Sequence, residues 1–266
     1  MSEPDAGTLL RMAEDVAREA GELILTRRRA GVSLAGTKSS ATDVVTDADR
    51  ESEQLIRARL LGARPDDAML GEEGGGTAGT SGVTWVVDPI DGTVNYLYDL
   101  PQYAVSIAAE VAGEAIAGVV HNPADGETWA AAIGSGARLD GDLITVSGQH
   151  DLAQSLVGTG FGYAIDRRAA QARTLQHVIV RVRDIRRGGS AAIDLCNVAC
   201  GRLDAHYERG LNPWDRAAGA LIAREAGALV GGLHGTPESD DLTITATPGI
   251  FAALHDLLAE SGADAD

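Results

Sequence analysis

The residues with the clearest potential for chemistry lie in one short segment, Asp88-Pro89-Ile90-Asp91-Gly92-Thr93. Its two carboxylates follow an apolar run, and the proline between them removes a backbone donor and stiffens the chain. Mg²⁺ prefers oxygen ligands in octahedral geometry. Asp88, Asp91 and the carbonyl of Ile90 are therefore a candidate set of three ligands. The same residues are also typical of an ordinary turn between two strands, and the segment alone leaves both interpretations open.

Gly92 and Thr93 come directly after the second carboxylate. If they begin a helix, the first backbone N–H groups of that helix form an anion site. A cation site next to such a helix end suits a phosphate group.

Other acidic residues stand where a purely structural role is the simpler interpretation. They lie at the end of a short apolar run, on a short predicted strand and at the start of an apolar helix: Glu72, Glu73, Glu208 and Asp215. Asp49 comes three residues after Thr46, which is the spacing of a helix capping box. Taken singly, none of these carboxylates predicts a catalytic site.

Several familiar chemistries lack their sequence signals. The six histidines form no HExxH pair, and the chain has no P-loop and no GxSxG elbow. Cys196 and Cys200 are four residues apart in an apolar stretch, which predicts thiols on one helix face and not a disulfide framework. Zinc, serine and cysteine chemistry are therefore disfavoured.

The elements that must position these residues alternate between helix and strand. Helical spacing predicts helices over 8–29, 46–61, 169–182, 191–199, 214–226 and 250–258. Short apolar runs predict strands at 85–87, within 105–120 and 127–138, and at 143–146, 156–161 and 205–208. We expect an α/β (α+β) protein with layered elements, divided into an N-terminal part, residues 1–148, and a C-terminal part, residues 149–266.

The composition of the chain limits the classes of function that it can have. The chain has 266 residues, 44% of them hydrophobic, with 22 Lys and Arg against 39 Asp and Glu, a net charge of −17. Such an acidic chain is a poor partner for nucleic acid, although four arginines cluster locally, namely Arg181, Arg183, Arg186 and Arg187. We interpret that cluster as a solvated helix end or a dimer surface. No signal peptide and no apolar run of membrane-spanning length is recognised, so we expect a cytoplasmic protein without membrane attachment.

Three separated motifs, taken together, resemble the inositol monophosphatase family. They are Gly71-Glu72-Glu73, the segment from Trp85 to Asn95, and Trp214-Asp215-Arg216-Ala217-Ala218-Gly219. A fourth stretch, with Gly189-Ser190-Ala191 and Ala205-His206-Tyr207-Glu208, agrees as well. The resemblance covers essentially the whole chain and implies the family's αβαβα sandwich with two sheets.

The resemblance implies a role for each matching residue. It implies two to three Mg²⁺ ions held by Glu72, Asp88, the Ile90 carbonyl, Asp91 and Asp215. It implies that Thr93 and Asp49 orient and activate the attacking water, that Glu72 serves catalysis as a ligand of a third, weaker Mg²⁺, and that Gly92 and Thr93 bind phosphate. It implies a surface for the substrate's hydroxyl groups made by Asp91, Gly189, Ser190, Ala191, Glu208 and Asp215. It also places Lys38 in a loop over the site.

The implied activity is hydrolysis of inositol 1-phosphate, or a related polyol phosphate, to the alcohol and phosphate. Metal ions suit this chemistry because they neutralise the phosphate and lower the pKa of water. Relatives acting on fructose 1,6-bisphosphate, histidinol phosphate or 3′-phosphoadenosine 5′-phosphate remain alternatives, as does a regulatory binding protein of the same fold. The family further implies a homodimer and sensitivity to lithium.

Overall fold

The computed structural model describes residues 5–32, 34–37 and 44–264. Lys38 lies outside these described residues. The helices are α1 (Ala6–Ala30), α2 (Asp47–Ala63), α3 (Thr93–Tyr98), α4 (Ile165–Val178), α5 (Ala191–Ala199), α6 (Pro213–Glu225) and α7 (Pro248–Glu260). A short 3₁₀ helix spans Leu152–Gln154.

An eight-stranded sheet dominates the first half of the chain. Its strands are β3 (Ala68–Gly71), β4 (Gly75–Thr77), β5 (Val83–Asp91), β6 (Ala104–Val111), β7 (Glu114–Asn122), β8 (Glu127–Ala132), β9 (Ala137–Leu139) and β10 (Asp142–Ile144). They run in the order β10-β9-β8-β7-β6-β5-β3-β4. All neighbours pair antiparallel except β3 and β5, which are parallel.

A second sheet of five strands follows. It comprises β11 (Leu156–Thr159), β12 (Asp184–Arg186), β13 (Ala205–Glu208), β14 (Leu229–Gly231) and β15 (Thr243–Ala246), in the order β12-β11-β13-β15-β14. β11 is parallel to both β12 and β13, whereas β15 is antiparallel to its two neighbours. A small pair, β1 (Leu34–Thr37) and β2 (Val44–Thr46), precedes α2.

Strand β5 shows how the layers arise from the residue pattern. Alternate side chains of a strand point to opposite faces of its sheet. Trp85 and Val87 join the core shared with α1 and α2, while Val86 joins the core shared with α5 and α6. Both faces are covered, and for this reason the strand is an almost unbroken apolar run. Burying each such side chain stabilises the fold by roughly 1.5–3 kcal/mol.

The second sheet packs in the same way. A third core joins it to α4 and α7, and includes Val157, Val178, Tyr207, Ile244 and Leu254. Its other face meets α5 and α6. The layers are thus helices, large sheet, helices, small sheet, helices. This arrangement confirms the predicted αβαβα sandwich with two sheets, while the division at residues 148 and 149 stays a prediction.

Some strands and strand boundaries differ from those expected from the sequence, because they depend on pairing with strands that are distant in the chain. The segment that also fits a turn continues β5 as far as Asp91, and β4 forms in the glycine-rich stretch of residues 74–82, for which no strand was expected. Strands of three or four residues, such as β12, β14 and β15, carry too little periodicity to be recognised without their partners. Cys196 is buried in α5 and Cys200 lies at its end. Among the described residues, no helix is long and apolar enough to cross a membrane.

Candidate metal and phosphate site

Two carboxylates come together because β3 and β5 are parallel neighbours. Gly71, the last residue of β3, pairs with Val87. The carboxyl ends of parallel strands meet at one edge of the sheet, so Glu72 and Asp88 follow at the same place. The backbone N–H of Glu72 extends this pairing by donating to the carbonyl of Val87 at 3.3 Å.

An irregularity in β5 brings the next carboxylate to the same side. Asp88 pairs with Ser106 and Asp91 with Ala104, so three steps along β5 face two steps along β6. In a regular strand, residues three apart point to opposite faces, and one extra residue removes that opposition. The backbone N–H of Ile90 donates to Asp88 Oδ1 at 3.0 Å and stabilises this irregularity.

Asp215 reaches the same point from α6, across the sandwich. Asn212 caps that helix, and its backbone N–H donates to Asp215 Oδ2 at 2.6 Å in a capping box. Oxygen atoms of Asp88, Asp91 and Asp215 all lie within 4.8 Å of one another. Such a group of carboxylates is the donor set of a hard cation.

Helix α5 holds Asp91 in place. Its Oδ2 accepts a hydrogen bond from Ser190 Oγ at 2.5 Å and another from the backbone N–H of Ala192 at 2.7 Å. Ser190 is also the N-cap of α5, where its Oγ accepts from the backbone N–H of Ile193 at 3.3 Å. Both of these bonds use Oδ2, and an oxygen of Asp91 lies within 4.8 Å of oxygens of Asp88 and Asp215.

The electrostatics of the cluster fit a bound cation. Burial raises the pKa of Asp91 to about 6, against the lowering effect of its bonds to Ser190 and Ala192. Burial, followed by the charges of Asp91 and Glu72, raises the pKa of Asp215 well above its ordinary value. Ionised carboxylates crowded in this way repel one another. A divalent cation reverses that repulsion, and the donor set therefore fits Mg²⁺.

Thr93 and Asp49 meet beside this cluster. Thr93 Oγ1 lies 3.0 Å from Asp49 Oδ1 and 3.1 Å from the Ile90 carbonyl oxygen, and its hydroxyl can donate to either. The other oxygen of Asp49 accepts from the backbone N–H of Thr46 at 2.8 Å and from its hydroxyl at 2.5 Å. The predicted capping box is therefore present, and the same carboxylate also holds Thr93.

Gly92 occupies a position that other residues fit poorly. It is the N-cap of α3 with a φ of 93°, in the left-handed region. A Cβ there would lie 2.8 Å from the carbonyl oxygen of Gln102 and 3.1 Å from that of Gly189. The chain passes close to Gly189 at this point, which brings the start of α3 next to the start of α5.

Glu53 supports the site, although the sequence analysis did not single it out. It is 3% exposed in α2, and its carboxylate accepts from the backbone N–H of Glu73 at 2.7 Å and of Gly74 at 2.8 Å. A Cβ on Gly71 or Gly74 would collide with that carboxylate. The glycines on either side of Glu72-Glu73 were the available signal, since they leave space for a buried group.

One cavity of about 520 Å³ lies over the cluster. Of the predicted site residues, it is lined by Glu72, Asp88, Ile90, Asp91, Gly92, Thr93, Gly189, Ala191, Glu208 and Asp215. Asp49 and Ser190 do not line it, because both are buried behind the residues that they hold. Three arginines also line the cavity, Arg167, Arg187 and Arg209, so a largely acidic floor is accompanied by cationic side chains.

A family model described as the inositol monophosphatase family matches residues 5–264. The chain belongs to the inositol monophosphatase family. This membership identifies it as a phosphatase acting on small phosphorylated substrates.

Individual relatives agree with this assignment. The phosphatase is 47% identical over 277 residues to "Inositol-1-monophosphatase SuhB" of Mycobacterium tuberculosis, covering 96% of this chain and 95% of that one. It is 40% identical over 236 residues to "Nus factor SuhB" of Pseudomonas aeruginosa, covering 86% and 87%. The solved structure of Mycobacterium tuberculosis SuhB superposes with a TM-score of 0.85 at 44% identity, covering 98% of this phosphatase and 99% of that chain.

Proposed function

We propose that this phosphatase is a Mg²⁺-dependent phosphomonoesterase that hydrolyses inositol 1-phosphate or a related polyol phosphate. The observation that carries the proposal is the convergence of Asp88, Asp91 and Asp215 at the floor of one cavity. The relative from Mycobacterium tuberculosis is named for the inositol phosphate activity. The convergence of these carboxylates and the name of this relative together favour an inositol or polyol phosphate as the substrate.

The proposed ligands of two to three Mg²⁺ ions are Glu72, Asp88, the Ile90 carbonyl, Asp91 and Asp215. When bound, the metal neutralises the phosphate, lowers the pKa of water and stabilises the leaving oxygen. The chain supplies the rigid frame for this chemistry. Bonds from Ser190 and Ala192 hold Asp91, Asn212 holds Asp215, and Glu53 holds the backbone that follows Glu72.

Thr93 orients the attacking water. Its hydroxyl hydrogen is directed towards Asp49 or the Ile90 carbonyl, so the lone pairs of its oxygen accept a hydrogen bond from water in the cavity. Asp49 is the group that receives the proton, through Thr93: as water gives a proton to Thr93 Oγ1, the Thr93 hydroxyl gives its own proton to Asp49 Oδ1, 3.0 Å away. Proton transfer by a positioned side chain contributes roughly 10²–10⁴-fold to rate.

The substrate is held on two sides. The backbone N–H groups of Gly92 and Thr93, at the start of α3, bind the phosphate. Asp91, Glu208, Gly189 and Ala191 face the same cavity and bind hydroxyl groups. Hydroxyl donors match the carboxylate of Glu208, which favours a polyol as the alcohol part of the ester.

Phosphate release from a panel of esters at fixed Mg²⁺ tests the proposal. The panel contains inositol 1-phosphate, fructose 1,6-bisphosphate, histidinol phosphate and 3′-phosphoadenosine 5′-phosphate, with EDTA as the control. We expect EDTA-sensitive release that is fastest from inositol 1-phosphate. Fastest release from another ester would move the substrate assignment, and a rate that EDTA leaves unchanged would contradict the metal assignment.

The cationic lining favours a second substrate class. Arg167, Arg187 and Arg209 line the cavity that holds the acidic cluster, and guanidinium groups match a second phosphate. Fructose 1,6-bisphosphate and 3′-phosphoadenosine 5′-phosphate carry one. A preference for them in the panel, abolished by Arg167→Gln and Arg187→Gln together, would establish this alternative.

We also propose a cytoplasmic homodimer that is inhibited by lithium. Sedimentation of the purified protein tests the dimer, and phosphate release with added LiCl tests the inhibition. The relative named "Nus factor SuhB" keeps a regulatory role as the alternative. Release from no ester of the panel by a folded protein with Mg²⁺ would favour that role.

A further inference from the structure

A buried imidazole lies directly behind the cavity. His206 and Glu208 are two residues apart on β13, so their side chains point to the same face of the second sheet. His206 is completely buried, whereas the carboxylate of Glu208 lines the cavity. Tyr207, between them, faces the opposite core. One side chain of the cavity wall therefore rests on a titratable group that the proposed mechanism does not use.

The imidazole stands between two carboxylates. His206 Nε2 lies 3.4 Å from Glu208 Oε2 and 3.9 Å from Asp194 Oδ2. Asp194 comes from α5, the helix that also holds Asp91, and it is 3% exposed. At these distances the interaction is an ion pair inside the protein rather than a short hydrogen bond. Buried charges without such partners are strongly disfavoured.

The neighbouring strand leaves space for this arrangement. Gly158 of β11 pairs with His206, and a Cβ there would lie 3.1 Å from His206 Cδ2. A Cβ on Gly160 would overlap the carboxylate of Glu208. Gly160 therefore leaves the space that the Glu208 carboxylate occupies, whereas a side chain on Gly158 would press on His206 and on Leu203, whose Cδ1 would lie 2.9 Å from the added Cβ.

The charges around the imidazole favour its protonated form. Burial lowers the pKa of His206, but Glu208, Asp194 and the more distant Asp91 together raise it above the ordinary value. On the other side, β15 contributes Thr245 opposite His206 and Thr243 opposite Glu208, both uncharged. His206 itself and then Arg187 are the cations that act on Asp194. Within the described residues, the charged groups that act on His206 are the carboxylates of Glu208, Asp194 and Asp91.

We propose that His206 is a positioning residue that holds the Glu208 carboxylate towards the cavity and thereby sets the affinity for the hydroxyl-bearing part of the substrate. The inference rests on the proposed function, since it assigns Glu208 to the substrate's alcohol. An imidazolium tied on one side to Asp194 restrains the rotation of Glu208 and keeps its charge. Without it, the carboxylate loses its buried partner, and part of its binding energy is lost.

Steady-state kinetics of two variants test this role. We expect His206→Phe to raise KM for inositol 1-phosphate by about tenfold, the scale of losing a residue that orients a binding group, with little change in kcat. Phenyl phosphate has no hydroxyl groups for Glu208 to bind, so its kinetics should stay unchanged. His206→Gln keeps a donor near the Nε2 position and should restore much of the affinity. His177→Gln, on an exposed face of α4, is the matched control.

Two results would overturn the proposal. One is an equal loss with both phosphate esters, which would indicate general damage to the site. The other is an unchanged KM for inositol 1-phosphate in a folded His206→Phe protein. Adding Glu208→Gln to His206→Phe should raise KM no further than Glu208→Gln alone, because both changes remove the same interaction.

A measurement without substrate separates this inference from the proposed function. NMR titration of the His206 ring should give a lower pKa in Glu208→Gln than in the unmodified protein. If neither protein releases phosphate but this difference is found, the proposed function fails while the His206–Glu208 pair stands. An identical titration in both proteins would show that the pair does not exist, whatever the activity.

Discussion

Asp49 Oδ1 and Thr93 Oγ1 lie 3.0 Å apart although 44 residues separate them in the chain. The same Asp49 closes the capping box of α2 through its second oxygen. One buried carboxylate therefore caps the start of a helix and orients a hydroxyl at the edge of the cavity. The structural and functional interpretations of this acid are compatible, because each uses a different oxygen.

Removal of the Thr93 hydroxyl should slow turnover more than it weakens binding. We expect Thr93→Ala to lower kcat by roughly 10²–10⁴-fold, since the oxygen that orients water is lost, with a small change in KM. Thr93→Ser keeps the hydroxyl and is the control. A raised KM with an unaltered kcat would instead assign Thr93 to ground-state binding.

Neutral replacements in the acidic cluster should lower the phosphatase activity. Asp88→Asn and Asp215→Asn should each lower phosphate release by more than about 100-fold, because each removes a proposed metal ligand. Near-normal rates in both variants would contradict the metal assignment.

The stability of Asp215→Asn in EDTA gives a second measure of the cluster. Burial raises the pKa of Asp215, so its ionised form destabilises the metal-free fold at any pH above the value in the unfolded chain. We expect the Tm of the variant in EDTA at pH 8 to equal or exceed that of the parent. A clear decrease in Tm would show that the carboxylate stabilises the metal-free protein instead.

The bond between Ser190 and Asp91 should matter for metal affinity. Ser190→Ala removes both the N-cap of α5 and the hydroxyl that holds Asp91 Oδ2. We expect a loss of about 1 kcal/mol in stability and a Mg²⁺ requirement raised roughly 10–100-fold. Ser155→Ala also removes a buried hydroxyl, which donates to the carbonyl of Asp151, and should lose stability without changing the Mg²⁺ requirement. Equal Mg²⁺ titrations for the two variants would count against this role.

Glu53, which also pairs with Arg57 at 3.3 Å, should act on the site through the backbone that follows Glu72. Glu53→Gln places an amide where the N–H groups of Glu73 and Gly74 both need acceptors. The turn after Glu72 then shifts, and we expect the Mg²⁺ requirement to rise by about tenfold. Glu51→Gln, which alters an exposed partner of Arg27 on the same helix, is the matched control and should behave like the parent protein.

Local patterns were sufficient for most of the elements and for the motif itself. Helical spacing predicted α1, α2 and α6 to within a few residues and α5 to the residue, and the apolar run before Asp88 predicted β5. These elements carry long, regular periodicity or clear end signals, and each is encoded by residues that are neighbours in the chain. The resemblance of three motifs to one family rested on the same local information.

Only the tertiary structure decided which of the acidic residues meet. Asp215 joins Asp88 and Asp91 because α6 packs on the far face of the large sheet, and Glu72 arrives because β3 is parallel to β5. The positioning by Ser190, Glu53 and His206 depends on contacts between elements far apart in sequence. A periodic pattern states which face of an element is buried but not what it is buried against. The sequence therefore determined the elements and the candidate ligands, and packing between the layers determined the site.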